Sequence, residues 1–333
     1  MRRLASIAAI LIAVALSASN LDAYLKLGVD INGRTVGVRW TKTPIPYFVT
    51  NRDVAGVTAP QLQTAVQQGF TAWAGVPTVS FVAQFGGFTN AEPFVDDGTS
   101  VIGFRSRPEL DRTLGATTFQ VDDVTGELIE ADIFLNSAFD WSVASGGESS
   151  RYDVQSIVTH EIGHFLGLGH SALGETTVQS SGARKVIAKR AIMFPIAFPA
   201  GNVDDRTPKG DDAAGLGEIF SSAAFTRQFG QAKGRVTLNG RGLFGAHVTA
   251  FNPATGDLIG GFCLDNQGNF VIGGLKPGLY VLRAEPLDDA DLTSFFSGTI
   301  VVDINFKPAY STRLVAVPAG GSSAAVEIKV QPK

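Results

Sequence analysis

Four histidines occur in the 333-residue chain, and three of them fall in one run, HEIGHFLGLGH, over 160–170. His160 and His164 are four residues apart. On a helix that spacing places both imidazoles on one edge, about 40° apart, so both can reach a single ion. Glu161 follows His160 directly and stays near the same site. Gly167 is where the chain is expected to leave the helix, in a left-handed conformation that a β-carbon disfavours. The returning chain then offers His170 as a third nitrogen. Three neutral imidazoles suit Zn²⁺ and leave its fourth position for water. The ion lowers the pKa of that water toward about 7. A carboxylate beside the metal, but not on it, can take the proton and return it to a leaving amine, which makes Glu161 the expected general base of a peptide hydrolase. The remaining histidine, His247, lies in a different part of the chain and reads as a strand residue. The single cysteine, Cys263, excludes an intrachain disulfide and a Cys-rich zinc site and reads as a semi-buried thiol.

These side chains need a scaffold. A helix is expected over about 153–168, with Val154, Val158, Ile162 and Phe165 on a face separate from the ligands. A strand over 44–50 and a helix over 59–74 precede it, the helix carrying Leu62, Ala65, Phe70 and Trp73 at near-helical spacing behind Thr58 and Pro60. Short strands are expected at 79–83, 100–104, 116–121 and 129–135, with a turn at 123–126. A third helix is expected at 211–220. Together these make an α+β domain over 37–222. Residues 223–233, polar and Gly-containing, read as a linker. From 234 to 333, short strands divided by Asn-, Asp-, Gly- and Pro-rich turns read as an all-β sandwich.

At the N-terminus, Arg2 and Arg3 precede an apolar run over 4–16 and the small residues Ser17, Ala18 and Ser19. This matches a secretory signal over 1–19, cleaved after Ser17 or Ser19; a membrane anchor or a buried helix is the alternative. The run falls short of the roughly 20 residues that span a bilayer. The expected mature chain is therefore exported, extracellular or periplasmic, monomeric and without a transmembrane segment, and it opens on a short segment over 20–36. Lys and Arg total 27 against 31 Asp and Glu, a net charge of −4, which excludes the strong basic excess of a nucleic-acid binder. A hydrophobic share of 44% excludes a disordered chain.

The run His160-Glu161-x-x-His164-x-x-Gly167-x-x-His170 resembles the extended zinc signature of the metzincin metallopeptidases at every defined position. Ser171, directly after the third histidine, is similar to the matrixin branch, whereas astacins carry Glu there and reprolysins Asp. Ala191-Ile192-Met193-Phe194-Pro195 resembles the matrixin Met-turn, in which the methionine forms an apolar floor beneath the zinc. Phe194 has no hydroxyl and so excludes a tyrosine ligand of the astacin kind. Over 37–222 the resemblance implies a metzincin-type fold, a mixed twisted sheet with three helices. It also implies that Leu114-Gly115-Ala116-Thr117 is the edge strand above the cleft, with Gly115 and Ala116 binding a protein or peptide substrate as an added strand. Residues 194–200, including Pro195, would wall the pocket for the side chain after the scissile bond, and their apolar character implies an apolar preference there. Asp132, Asn136 and Asp140 lie near positions where matrixins hold calcium, so Ca²⁺ is implied as a second cofactor.

The departures are specific. No cysteine precedes the zinc helix, so a cysteine-switch latency is absent. Residues 20–36 are too short for a helical propeptide, which leaves Asp22 or Asp30 as carboxylates that could cover the zinc in a precursor. The second, His-rich zinc site of matrix metalloproteinases cannot form once three histidines are used. The segment from His170 to Met193 is longer than in those enzymes. Its part over 182–190 carries four basic residues and no acidic one, and reads as a solvated loop or as a basic rim favouring acidic substrate positions.

The C-terminal part resembles the carboxypeptidase regulatory-like (transthyretin-like) module. The carrying residues are Gly234-Arg235-Val236, Gly245-Ala246-x-Val248, Asp265-x-x-Gly268-x-Phe270 and Gly274-Leu275-x-Pro277-Gly278-x-Tyr280. The resemblance implies a part in folding, secretion or surface attachment, with no catalytic cluster. The leading expectation is a secreted zinc endopeptidase. One alternative is a catalytically silent, zinc-binding surface or matrix-binding protein, against which the presence of Glu161 argues. Another is a metal-dependent hydrolase of non-peptide bonds, against which the strand beside the cleft argues.

Overall fold

The computed structural model describes residues 26–31, 34–77, 79–122, 124–296 and 300–333. The expected signal over 1–19, Asp22 and the turn residue Asp123 lie outside them. A hairpin of β1 (Gly28–Ile31) and β2 (Arg34–Gly37) comes first. Asp30 sits on its first strand. The hairpin is tied to the histidine-rich run over 160–170, since the Leu27 amide donates to the Gly167 carbonyl at 2.9 Å. Leu27, Val38 and Leu128 form a small core beneath it.

A five-stranded sheet follows, built from β3 (Ile45–Thr50), β4 (Ala83–Thr89), β5 (Val101–Arg105), β6 (Gly115–Val121) and β7 (Leu128–Asn136) in the order β4-β3-β5-β7-β6. All neighbours run parallel except β6, which is antiparallel to β7 and ends the sheet. Helix α1 (Ala59–Ala74) starts in a capping box, in which the Thr58 hydroxyl accepts from the Gln61 amide and the Gln61 side chain accepts from the Thr58 amide. The short strands β8 (Trp141–Ser142) and β9 (Tyr152–Asp153) lead into α2 (Val154–Phe165). There Asp153 caps the helix by accepting from the Ser156 amide at 2.8 Å. Val154, Val158, Ile162 and Phe165 share one buried core with α1 and the sheet, the face expected from their spacing. The Trp73 indole donates to the Thr159 carbonyl at 2.8 Å and locks the two helices together.

Gly163 lies where α2 meets this core. A β-carbon there would fall 2.3 Å from the Met193 sulfur and 2.9 Å from the Trp73 ring, and both side chains are fully buried. Alanine favours a helix over glycine by about 1 kcal/mol, but overpacking a filled core costs about 1–3 kcal/mol. Gly163→Ala should therefore lower stability on balance, read as a fall in Tm; a rise would show that Met193 can move aside freely.

Beyond α2, β10 (Gly174–Val178) and β11 (Arg184–Lys189) form an antiparallel hairpin. This corrects the expectation of a solvated loop at 182–190: Val186 and Lys189 are buried, and the apolar positions among the charges are what fold the segment back. Helix α3 (Gly210–Ile219) follows. The expected linker at 223–233 is also corrected. It holds α4 (Ala223–Gln228), capped by Ser222 with Phe225 buried, and from Gly230 it is already strand. Polar composition concealed one buried phenylalanine and the fully buried Ala232. The strand expected at 79–83 lies later, at β4, where pairing with β3 overrides the turn tendency of Gly86-Gly87.

The remainder is all β. It comprises β12 (Gly230–Leu238), β13 (Arg241–Gly242), β14 (His247–Phe251), β15 (Leu258–Phe262), β16 (Asn269–Leu275), β17 (Gly278–Glu285), β18 (Phe306–Lys307), β19 (Ala309–Tyr310), β20 (Val315–Val317) and β21 (Val326–Pro332). One sheet gathers β13, β12, β16, β21 and β18, and the other β15, β14, β17, β19 and β20. Val236 and Ile328 from the first and Val248 and Leu282 from the second share one core, which Ala214 of α3 also enters. Cys263 is fully buried rather than semi-buried, and burial raises its thiol far above the usual range. No helix among the described residues is long and apolar enough to cross a membrane.

Candidate active site

Helix α2 delivers His160 and His164 one turn apart, and the chain leaves it at Gly167 with φ +102°. A β-carbon at Gly167 would sit 2.7 Å from the Val38 carbonyl, so both backbone conformation and space require glycine there. The exit turn brings in His170. One ligand atom from each of the three imidazoles lies within 4.8 Å of the other two. His164 Nε2 and His170 Nε2 are 3.2 Å apart. Two zinc–nitrogen bonds of 2.0–2.1 Å at a tetrahedral angle would separate their nitrogens by about 3.3 Å.

Each ring is held from behind. His160 Nδ1 donates to the Ile192 carbonyl at 2.7 Å, His164 Nδ1 to the Leu168 carbonyl at 2.8 Å and His170 Nδ1 to the Ser294 carbonyl at 2.7 Å. A carbonyl only accepts, so every Nδ1 carries the proton and every Nε2 lone pair is left for an ion. Burial lowers all three pKa values: His164 to about 3, His170 to about 4 and His160 well below its usual value. All three rings are thus neutral near pH 7, the form a metal requires. Nitrogen donors, spacing, tautomer and protonation together fit Zn²⁺.

Glu161 is 5% exposed and lines the same cleft. Its Oε2 accepts from the Thr117 hydroxyl at 2.8 Å. Burial raises its pKa to about 7, against the lowering effect of that hydrogen bond. Met193 is fully buried beneath the triad's helix, against Gly163. Its turn is clamped by Asp212, which accepts from the Ile192 amide at 2.8 Å, the Met193 amide at 3.1 Å and the Lys209 amide at 2.8 Å. Because the Ile192 carbonyl holds His160, Asp212 on α3 reaches that imidazole through one peptide unit.

With this geometry in place, the comparison with known families decides the fold's kinship: residues 39–221, more than half of the chain, match the matrixin family. The chain belongs to that family. Among similar proteins, metalloendoproteinase 1-MMP of Arabidopsis thaliana is 27% identical over 195 residues, covering 55% of this chain and 44% of the relative. Metalloendoproteinase 5-MMP of the same plant is 30% identical over 200 residues, covering 55% and 45%. Karilysin of Tannerella forsythia is 24% identical over 157 residues, covering 43% and 29%. The chain spans less than half the length of each of these relatives. The match to the matrixin family ends before β12, so the C-terminal sheets lie outside it.

In this matrixin chain the triad stands on a cleft of about 840 Å³, room for a stretch of extended polypeptide rather than one side chain. Gly115 and Ala116 lie on β6, the terminal strand of the sheet. A β-carbon at Gly115 would sit 3.2 Å from Glu161 Oε1, so that strand runs directly past the carboxylate. Pro195 and its neighbours to Pro199 form another part of the wall, together with Arg184 and Lys185 of the β10–β11 hairpin. Lys189 lies deeper, paired with Asp205 at 2.6 Å.

The structure does not assemble the implied calcium site. Asp132 is buried and accepts from the amides of Phe94, Val95 and Val101, while Asp140 is exposed. Asn136 spends its amide on the carbonyls of Arg107, Leu110 and Thr113. Among the described residues, the histidines form the one group of three or more His, Cys, Asp or Glu side chains able to hold an ion. Asp132 and Asn136 brace loops through the backbone groups that their sheet positions face. His247 pairs with Glu285 at 3.1 Å inside the β sheets, apart from the triad. Three contributors escaped sequence reasoning: Thr117, Asp212 and Ser294. A threonine on the strand expected beside the cleft and an Asp-Asp pair at a helix start were the signals available for the first two.

Proposed function

We propose that this chain is a secreted zinc-dependent endopeptidase. The observation that carries the reading is the buried Glu161 beside three neutral, back-held imidazoles, along the terminal strand of the sheet. His160, His164 and His170 would hold the zinc, which when bound supplies Lewis acidity at a position open to substrate. Glu161 takes the proton from the attacking water and hands it to the leaving amine. Thr117 orients that carboxylate, and Met193 closes the floor. Gly115 and Ala116 pair with the substrate backbone as an added strand, and Pro195 lines the pocket for the side chain after the cleaved bond. The substrate is a protein or peptide in extended form, and the chain acts as a monomer with no nucleic-acid partner.

The proposed organisation is a signal over 1–19, a short segment over 20–36, the peptidase domain over 37–222 and a carboxypeptidase regulatory-like module over 234–333. Export rests on the basic, apolar and small-residue order of the N-terminus.

Cleavage of denatured casein by the purified mature chain tests the reading, with zinc measured on the same sample. Activity should vanish on treatment with a zinc chelator and return with about one equivalent of Zn²⁺. A chain that holds one zinc and leaves casein and gelatin intact would be a binding protein instead.

A further inference from the structure

Two of the three ligands are held from within the matrixin domain, His160 by Ile192 and His164 by Leu168. The third is not. The Ser294 carbonyl on His170 Nδ1 belongs to the connection between β17 and β18 in the C-terminal part, at a single 3-10 turn over Leu292–Ser294. That turn is seated, not draped. Phe295 and Phe296, which follow it, are each 2% exposed. They pack against Phe262 of β15, Phe295 tilted at 5.8 Å and Phe296 edge-on at 5.9 Å, in one cluster with Phe194 of the Met-turn and Val186 of the hairpin. Earlier in the connection, Asp289 accepts from the Thr176 amide at 2.7 Å. Ser171, next to His170, donates to Asp211 at 2.5 Å, and the other oxygen of Asp211 accepts from the Gly260 amide of β15 at 2.7 Å. His170 is thus bounded by the C-terminal part through its ring and through its neighbour.

We propose that the C-terminal domain is a working part of the metal centre: its 292–296 turn positions His170, so the seating of Phe295 and Phe296 sets metal affinity. This rests on the reading of the triad as a zinc site. A carbonyl behind a ligating imidazole fixes its tautomer and its plane and raises its basicity, and losing such a partner costs about 10–100-fold in affinity. Without the turn, His170 Nδ1 would face water, and the ring would be free to rotate away from the other two nitrogens. Phe295 and Phe296 touch no substrate. They are positioning residues, acting through Ser294.

The test uses the full mature chain and reads zinc Kd by competition with a chromophoric chelator, with the visible spectrum of the Co²⁺-loaded protein as a second readout. Phe295→Ala/Phe296→Ala should weaken zinc about 10–100-fold and alter the Co²⁺ bands. Phe295→Leu/Phe296→Leu should restore most of the loss. Phe270→Ala, a comparable deletion in the separate core between the two sheets, should lower Tm but leave Kd unchanged. Wild-type affinity in the folded double-alanine variant, or an equal loss in Phe270→Ala, would overturn the proposal while leaving the zinc site intact. Wild-type affinity in His170→Ala would overturn the zinc-site reading itself. If the double-alanine variant does not fold, nitrogen-resolved proton NMR of the wild-type zinc form decides. The His170 Nδ1 proton should exchange with solvent as slowly as those of His160 and His164, and fast exchange would overturn the proposal.

Discussion

Glu161→Gln should lower kcat/KM for peptide cleavage by about 10²–10⁴-fold, the usual worth of a positioned general base, while the protein keeps one zinc per chain. The substitution preserves shape, and the amide oxygen can still accept from the Thr117 hydroxyl that now reaches Glu161 Oε2 at 2.8 Å. What disappears is the ability to take a proton. The local field gives a pH signature as well. Burial raises the Glu161 pKa to about 7, and the charge of a bound divalent cation would pull it back down. A base works only when deprotonated, so kcat/KM of the wild type should fall as pH drops through the resulting value. The variant should show no such limb. Steady-state kinetics with metal analysis and a Tm measurement check this, and wild-type turnover in a folded, zinc-loaded Glu161→Gln would remove Glu161 from the mechanism.

The second large effect is at the metal. His164→Ala should abolish stoichiometric zinc binding and activity together. The apparent binding energy of a well-formed zinc site is roughly 10–16 kcal/mol, so one of three imidazoles carries several kcal/mol, more than about 10³ in affinity. His164 is 4% exposed with its Nδ1 fixed on Leu168, so the vacated space is not filled by a neighbouring donor. Zinc should raise the Tm of the wild type, because it binds the folded state alone, and leave that of the variant where it is. His247→Ala is the matched control. Its imidazole is committed to Glu285 in the C-terminal sheets, and zinc content should not change. Full activity in His164→Ala would sink the assignment.

Much of this was legible from local pattern. Helix α2 carries apolar residues at helical spacing and two histidines four apart, and both properties belong to a single element whose period is known in advance. The Met-turn and the glycine exit are short segments with the same self-sufficiency. The segments that escaped are those whose state depends on a distant surface. Residues 223–233 read as linker because Phe225 and Ala232 are apolar only one at a time, and each finds its core in another element. The part over 182–190 looked like a charged loop because Val186 is buried against residues of the C-terminal part. The implied calcium ligands Asp132 and Asn136 look alike in sequence whether they face an ion or backbone groups of a loop.

By itself, then, the sequence determined which side chains converge: three histidines on one helix and its exit, a carboxylate beside them, and the α+β frame that carries them. All of that is encoded within runs of a few turns or a few strands. Only the tertiary structure decided how the site is held. Thr117 meets Glu161 across 44 residues, and Ser294 meets His170 across 124. Such partners leave no mark in local composition, because a backbone carbonyl is present at every residue and becomes specific only when packing brings it to one ring.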